Sequence, residues 1–204
     1  CALPIFSRDD FALKSGEQVM NLLKLNLRPR AIATRKAFEN AATVVAATGG
    51  STNAALHLPA MANECGIKFD LFDVADIFKR TPYIADMKPG GRFVAKDMWE
   101  AGGVPLLMRA LLDGGYLHGD CMTVTGKTIA ENLKDVKFNP KQEVIRATSN
   151  PLAPTGGVVG LRGNLAPDGA IVKVAGLKHQ VHRGPVRVFD CEEDAFAAVE
   201  DRKS

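Results

Sequence analysis

The chain has 204 residues, of which 46% are apolar and 24% charged, with a net charge of +3; this balance suits one large globular domain or two small ones. Acidic and basic residues are interspersed and aromatics make up only 6%, so the chain carries no electrostatic footprint for nucleic acid. No apolar run reaches the roughly 20 residues that span a bilayer and no charged-then-apolar leader opens the chain, which predicts a cytoplasmic setting away from membranes.

The opening CALPIF, residues 1–6, fits poorly with the polar SRDDFALKSGE that follows and reads as foreign sequence, such as a translated adaptor. Both ends read as cut, since the chain lacks an initial Met and stops at Ser204 soon after a helical pattern begins at Glu192. Ser7 to Leu27 carries Phe11, Val19, Leu22 and Leu23 on a helical stripe, which Arg28-Pro29-Arg30 ends. Thr34 caps a second helix that stops at Thr48-Gly49-Gly50. A third helix runs from Ser51, capped by Ser51, Thr52 or Asn53, to Glu64 or Cys65, with Pro59 inside it and Gly66 as its exit. Lys68 to Phe72 reads as a strand, Asp73 to Lys79 as a short helix, and Tyr83 to Met87 as another strand before the turn Pro89-Gly90-Gly91. Met98 to Leu112 reads as an apolar helix, Cys121 to Val124 as a short buried strand, and Ile129 to Leu133 as a helix capped by Thr125 or Thr128.

From Asn139 the texture changes to a turn-rich hinge, which predicts a domain boundary near residue 150. Beyond it, Val158 to Leu161, Ala170 to Val174 and Val186 to Phe189 read as strands, with Pro167-Asp168-Gly169 as the turn between the first two. Three strands leave unpaired edges and cannot close a barrel. The acidic run Asp190 to Asp194 suits the start of a last helix.

The four cysteines, Cys1, Cys65, Cys121 and Cys191, are far apart; they read as reduced, buried small hydrophobes unless the fold gathers them onto a metal. His57, on the same side of the third helix as Asn53, reads as a hydrogen-bonded core residue, with a catalytic histidine as the alternative. His118, next to Asp120 in LHGD, reads as a solvated turn or as an Asp–His pair for proton chemistry. His179 and His182 read as surface residues. Asp73, Asp76, Asp86, Asp97 and Asp113 lack metal-ligand spacing and read as caps or solvated charges.

TVTGKT, Thr123 to Thr128, ends like a phosphate loop, but Cys121 stands where that loop needs its first glycine. Lys127 remains a point charge for an anionic substrate. TGGSTN, Thr48 to Asn53, combines two glycines with a helix start whose free amides and dipole attract carboxylates or phosphates. The same residues also make a plain capped junction.

TRKAFENA, TGGSTNAALHLPAM, DIFKRTPYIADMKPGGRF, AGGVPLLMRALLDGG, LHGDCMTVTGKTIAENL and GGVVGLRGNLAPDGAIVKVAG followed by GPVRVFD occur in that order. Together they resemble the family of dihydroxy-acid, 6-phosphogluconate and sugar-acid dehydratases over almost everything from Ser7 to Val199. The resemblance implies an α/β fold: residues 7–148 as the later part of an N-terminal α/β domain, and 151–204 as the first strands of a C-terminal β-barrel-like domain. It implies a hydro-lyase that converts 2,3-dihydroxy carboxylates to 2-oxo acids. In such enzymes a [2Fe-2S] cluster acts as Lewis acid on the leaving hydroxyl, Mg²⁺ holds the carboxylate and 2-hydroxyl, and a serine alkoxide takes the C2 proton. Ala54 stands where the phosphate-sugar branch has His, and GPVRVFDCEEDAF resembles the valine and isoleucine branch. Sugar-acid (aldonate) or 6-phosphogluconate dehydration is the alternative, with a phosphate-loop protein or a non-catalytic binding module further off.

The family's cluster cysteines and first metal ligands lie in motifs such as CDK, ahead of residue 1, and its later glutamate and serine in an ITDGRFSGG-like segment, beyond Ser204. The resemblance therefore assigns no catalytic or metal-binding residue here, and implies that this chain alone binds neither cluster nor Mg²⁺ and is inactive. It leaves Gly49, Gly50, Ser51, Thr52 and Asn53 as the wall of the substrate pocket, with His118, Asp120 and Lys127 as further candidates. A homodimer is implied for the full-length enzyme.

Overall fold

The computed structural model describes residues 5–139, 141–177, 179, 181 and 183–201. Residues 1–4 of the stretch read as foreign, including Cys1, and His182 lie outside the described residues.

Helix α1 (Ile5–Lys24) is followed by a short α2 (Pro29–Ile32), so Pro29 opens a helical turn instead of ending one. Then come α3 (Arg35–Ala47), α4 (Thr52–Glu64) and α5 (Leu71–Arg80). Thr34 caps α3 as expected, its hydroxyl accepting from the Ala37 amide. Asp70 overturns the strand expected over Lys68 to Phe72: its carboxylate accepts from the Phe72 and Asp73 amides, and Asp73 returns a bond from the Asp70 amide. That reciprocal cap starts a helix where alternation suggested a strand.

The apolar helix expected over 98–112 is two helices, α6 (Ala95–Ala101) and α7 (Gly103–Asp113), because Gly102 takes φ +124° between them. Thr128 caps α8 (Ile129–Leu133), with Glu131 closing the reciprocal bond. The only sheet among the described residues pairs β1 (Val158–Gly163) with β2 (Ala166–Lys173) antiparallel. The chain reverses between Gly163 and Ala166, so Pro167-Asp168-Gly169 lies inside β2 and is not the turn. Tyr83 to Met87 makes isolated bridges to Ala153, Ile145 and Phe93, and Cys121 to Val124 a single bridge from Met122 to Thr128. Val186 to Phe189 is not a strand. The acidic run leads into α9 (Glu192–Glu200). The fold is thus mixed helix with a two-stranded antiparallel sheet.

Helix α3 stands between two cores. Phe38, Ala42 and Ala46, spaced one turn apart, join Ala55, Leu58 and Ala62 of α4, Val74, Ile77 and Phe78 of α5, and Val158 of β1. Ala47, on the opposite face, joins Ile84, Ala85 and the α7 residues Leu106, Leu107, Ala110 and Leu111, with Val144 and Ile145. Asn40 and Thr43 share that second face and are buried. Cys121, Ile129 and Leu133 form a small third cluster. No described helix is long and apolar enough to cross a membrane.

Candidate functional site

The Thr48–Asn53 junction is built from the end of α3 outward. The Thr48 hydroxyl donates to the Val45 carbonyl at 2.8 Å. The Gly49 amide donates to Ala46 and the Gly50 amide to Val45, both glycines having positive φ, +93° and +81°. Ser51 then takes extended backbone and α4 begins, but the Ser51 hydroxyl makes no capping bond. The expected side-chain cap is therefore absent from this junction: Ser51 is half-buried and Thr52 and Asn53 are exposed. The Ala54 amide already donates to the Ser51 carbonyl at 3.2 Å, which leaves the Thr52 and Asn53 amides at the positive end of the helix dipole without a partner among the described residues.

Three other segments converge on this point. The Ala47 carbonyl accepts from both Ile84 and Ala85 amides at 3.0 Å. The Gly156 amide donates to Phe78, and the Gly157 carbonyl accepts from Val174 and Ala175. A side chain at Gly157 would collide with the Gly49 carbonyl, so the backbones cross in contact.

Beside the crossing is a cavity of about 320 Å³, bordered by Tyr83, Asp86, Gly90, Gly157, Ala175 and Gly176. Tyr83 is 7% exposed, its ring covers Gly49, and its hydroxyl has no hydrogen-bond partner among the described residues. Burial, and secondarily the nearby Asp86 carboxylate, raise the phenol above its ordinary pKa. Asp86 itself is buried, which corrects its reading as a cap or solvated charge. Burial pushes its carboxyl up, but Arg92, donating from Nε at 2.6 Å and from its backbone amide at 2.9 Å, outweighs that and holds it below the usual range. Tyr83 and Arg92 were missed by sequence reasoning. The available signal was the Pro89-Gly90-Gly91 turn, which folds Arg92 back over Asp86.

His118 and Asp120 lie at the other end of α3. The His118 backbone is clamped by Asn40, which donates to its carbonyl at 3.0 Å and accepts from its amide at 2.8 Å. The His118 Nε2 is 2.7 Å from the Glu39 carboxylate, and Asp120 is paired with Lys36 at 2.6 Å. The carboxylate partner of His118 is thus Glu39 and not Asp120. Burial would raise the Glu39 carboxyl, but bonds from Arg35 and His118 hold it below the usual range. Arg35 also grips Asp73 through two nitrogens, at 2.7 and 3.1 Å, tying α3 to α5.

Asn40 and Gly49 are nine positions apart, about 13 Å at the rise of a helix, so His118 and Asp120 do not adjoin Gly49 to Asn53. Lys127 is exposed in a third place, the tight turn of residues 123–128, which Gln18 of α1 binds through the Val124 carbonyl. That turn uses its own amides: Gly126 donates to Thr123, Lys127 to the Thr125 hydroxyl, and Thr128 to Glu131. No ring of free amides is left there to cradle a phosphate.

His57 is exposed, contrary to its reading as a core residue. Cys65 is half-buried, Cys121 buried with its thiol pushed up by burial, and Cys191 exposed, so the buried-cysteine expectation fails at Cys191. Asp97 accepts from the Val94 amide at the start of α6, and Asp113 pairs with Arg109. Among the described residues no three of His, Cys, Asp and Glu come together as metal ligands do. The donor set of an iron–sulfur cluster or of Mg²⁺ is not furnished by them.

Comparison with known proteins gives two family matches. The model described as dihydroxy-acid/6-phosphogluconate dehydratase N-terminal matches residues 5–132, and the corresponding C-terminal model matches residues 143–204. The chain is 68% identical over 199 residues to "Dihydroxy-acid dehydratase 2" of Bradyrhizobium diazoefficiens, covering 98% of this chain and 35% of that protein. It is likewise 68% identical over 200 residues to "Dihydroxy-acid dehydratase" of Pelagibacter ubique, with the same coverage of 98% and 35%. Similarity extends to Sulfurisphaera tokodaii, whose "Dihydroxy-acid dehydratase" is 49% identical over 97% of this chain and 36% of its own length. The chain thus spans about a third of the length of the curated relatives it matches.

Proposed function

Because the chain belongs to the dihydroxy-acid/6-phosphogluconate dehydratase family, we propose that it forms part of a hydro-lyase that dehydrates 2,3-dihydroxy carboxylic acids to 2-oxo acids in valine and isoleucine biosynthesis. The observation that carries this reading is the 65–68% identity, over nearly the whole chain, to proteins named dihydroxy-acid dehydratase. Sugar-acid or 6-phosphogluconate dehydration is the less favoured substrate assignment. The proposal sets the whole enzyme in the cytoplasm as a homodimer, with residues 7–148 in an α/β domain and 151–204 opening a β-rich one.

Within that enzyme the chain's own part is scaffold and pocket wall. The Gly49–Asn53 junction offers the outward amides of α4, the Ser51 hydroxyl and the Asn53 amide to the substrate carboxylate, where the helix dipole favours negative charge. Tyr83 braces Gly49 from behind and fixes the direction in which α4 starts. A [2Fe-2S] cluster and Mg²⁺, when bound, supply Lewis acidity to the leaving hydroxyl and to the carboxylate. The described residues do not fit either group, and no step here runs through them.

The test is made in a full-length enzyme carrying this segment. Ser51→Ala and Asn53→Ala are each expected to raise KM about tenfold, the loss of one hydrogen bond to a charged group, with iron content unchanged. Unaltered KM and kcat in both variants would remove the pocket-wall assignment. Dehydration by the purified 204-residue chain alone would overturn the scaffold assignment.

A further inference from the structure

We infer that a small oxyanion binds between α3, the end of α5 and the loop of residues 115–118, at a site separate from the Gly49–Asn53 junction. A cavity of about 330 Å³ opens there, bordered by Thr43, Arg80, Thr81, Gly115, Tyr116 and His118. Nothing in the dehydration proposal uses it.

Three observations give the cavity its chemistry. Thr43 is only 3% exposed, and its hydroxyl, which makes no hydrogen bond to the described residues, is not sealed off as an orphan but keeps an opening to solvent beside the cavity it borders. A helical threonine ordinarily returns its hydroxyl to the carbonyl four residues back, as the nearby Thr81 does in bonding Ile77 at 2.7 Å. Thr43 instead borders the cavity with that hydroxyl unspent. Its buried neighbour on the same α3 face, Asn40, is fully engaged with the His118 backbone, so Thr43 is the one buried polar group on this face left to meet a ligand.

Arg80, in the last turn of α5, is exposed and has no carboxylate partner among the described residues. Its planar fork matches two oxygens of one anion. His118 is fixed in place, since Asn40 holds its backbone and its Nε2 donates to Glu39; with Nδ1 left as the acceptor of the neutral ring, His118 walls the cavity and the anion is met by the other groups.

The sign of the site follows from how the surrounding carboxylates are used. Glu39 is neutralised by Arg35 at 3.0 Å as well as by His118, Asp73 is held by Arg35, and Asp120 is held by Lys36. Those three acids are therefore committed and Asp76, exposed one turn before Arg80, makes no ion pair with it, while the guanidinium of Arg80 and the hydroxyls of Thr43 and Tyr116 are unspent among the described residues. A site of one free cation and several donors takes an oxyanion and rejects a metal cation. Thr43 lies six residues before Gly49, about 9 Å along α3, so an anion here does not occupy the junction.

The test is an NMR titration of the ¹⁵N-labelled full chain at constant ionic strength, with inorganic phosphate in one arm and acetate in the other. The expected result is saturable shifts confined to residues 43, 80 and 115–118. Saturation by phosphate alone supports the site with a phosphate-bearing ligand, and saturation by acetate supports it with a carboxylate. Arg80→Gln should weaken binding about tenfold or more, as expected for a charge-assisted pair. Thr43→Val, which keeps the volume and removes the hydroxyl, should weaken it about fivefold. Lys79→Gln, at the exposed neighbour of Arg80, should stay within about twofold, since it removes surface charge but no contact. Shifts that fail to saturate with either anion overturn the inference. So does equal weakening by Lys79→Gln and Arg80→Gln, which would mean diffuse charge and no built site.

Discussion

Gly50→Ala should be among the most disruptive one-methyl changes in the chain, and its cost can be worked in two parts. The first is conformational: Gly50 has φ +81°, which costs an L-residue about 1–2 kcal/mol. The second is steric, because the new Cβ would lie 2.5 Å from the Val158 Cγ2 and 3.2 Å from the Phe78 ring. Val158 is 2% exposed and Phe78 wholly buried, so neither swings aside, and overpacking of this kind costs about 1–3 kcal/mol. Alanine stiffens the unfolded chain and offsets about 0.4–1 kcal/mol, which leaves a net loss of about 1–5 kcal/mol, centred near 3. For a chain of this length the central value lowers Tm by roughly 6–12 °C. The control is Gly66→Ala, which has nearly the same φ, +72°, but no atom within 4 Å of the added methyl. Thermal and urea unfolding followed by circular dichroism would measure both. If the two variants lose equal stability, Gly50 does not press on Val158 and the described crossing of α3, α4 and β1 is wrong. If the crossing is right, Val158→Ala added to Gly50→Ala returns part of the loss as a favourable coupling.

Asp86→Asn should cost about 1–2 kcal/mol at neutral pH, after discounting for the solvent that screens Arg92, which is 56% exposed. The Asp86 carboxyl is held below its unfolded value, so its stabilisation is complete above about pH 4 and drains as pH falls through the folded value; urea unfolding at neutral and acid pH should show the gap between wild type and variant closing, and a constant gap would contradict the pair. Thr128→Ala should remove the cap of α8 at a cost of about 1 kcal/mol, seen as faster amide exchange at Glu131 to Leu133 with α3 unaffected. Faster exchange spread through α3 would show that the cap does more than hold this short helix.

What the sequence made legible was decided within a few residues of where it was written. Thr34 three before Ala37, Gly49-Gly50 after an apolar helix, and Thr128 three before Glu131 were readable because donor and acceptor sit in one turn. Asp70 belongs to the same class, but the alternation of Lys68 to Phe72 hid it, and the reciprocal bond that the Asp73 carboxylate accepts from the Asp70 amide decided in favour of helix. The extended segment at Tyr83 to Met87 was harder, since its partners Ile145 and Ala153 are remote and each contributes only one bridge. At the site, the acid beside His118 was sought next door in Asp120, whereas Glu39 arrives from 79 positions away. No local pattern carries that distance. Asp86 and Arg92, six residues apart across a turn, were within reach, but charge alone does not reveal that the acid is buried.

The two ends of α3 can carry different tasks because of how its faces are spent. Residues 38, 42 and 46 bury one face and residues 40, 43 and 47 the other, so between Phe38 and Ala47 α3 packs on both sides and cannot tilt without opening two cores. Ala47, on the face shared with Ile84 and Ala85, lets the backbone of residues 83–85 approach until the Ala47 carbonyl accepts two of its amides, and Ala46, on the other face, leaves room for Gly156. That approach sets where Tyr83 stands, and a Cβ at position 49 would press on the Tyr83 ring at 3.2 Å in a backbone of φ +93°, which favours glycine there. The direction of α4, and with it the aim of the outward amides of its first turn, is therefore a consequence of small residues inside α3 as much as of the turn chemistry at Gly49-Gly50. At the opposite end, Arg35, Lys36, Glu39 and Asn40 hold the His118 loop without touching either glycine. Sites with no shared partners and a rigid helix between them respond independently, which is why a ligand at Thr43 and Arg80 can be present or absent without re-aiming the junction.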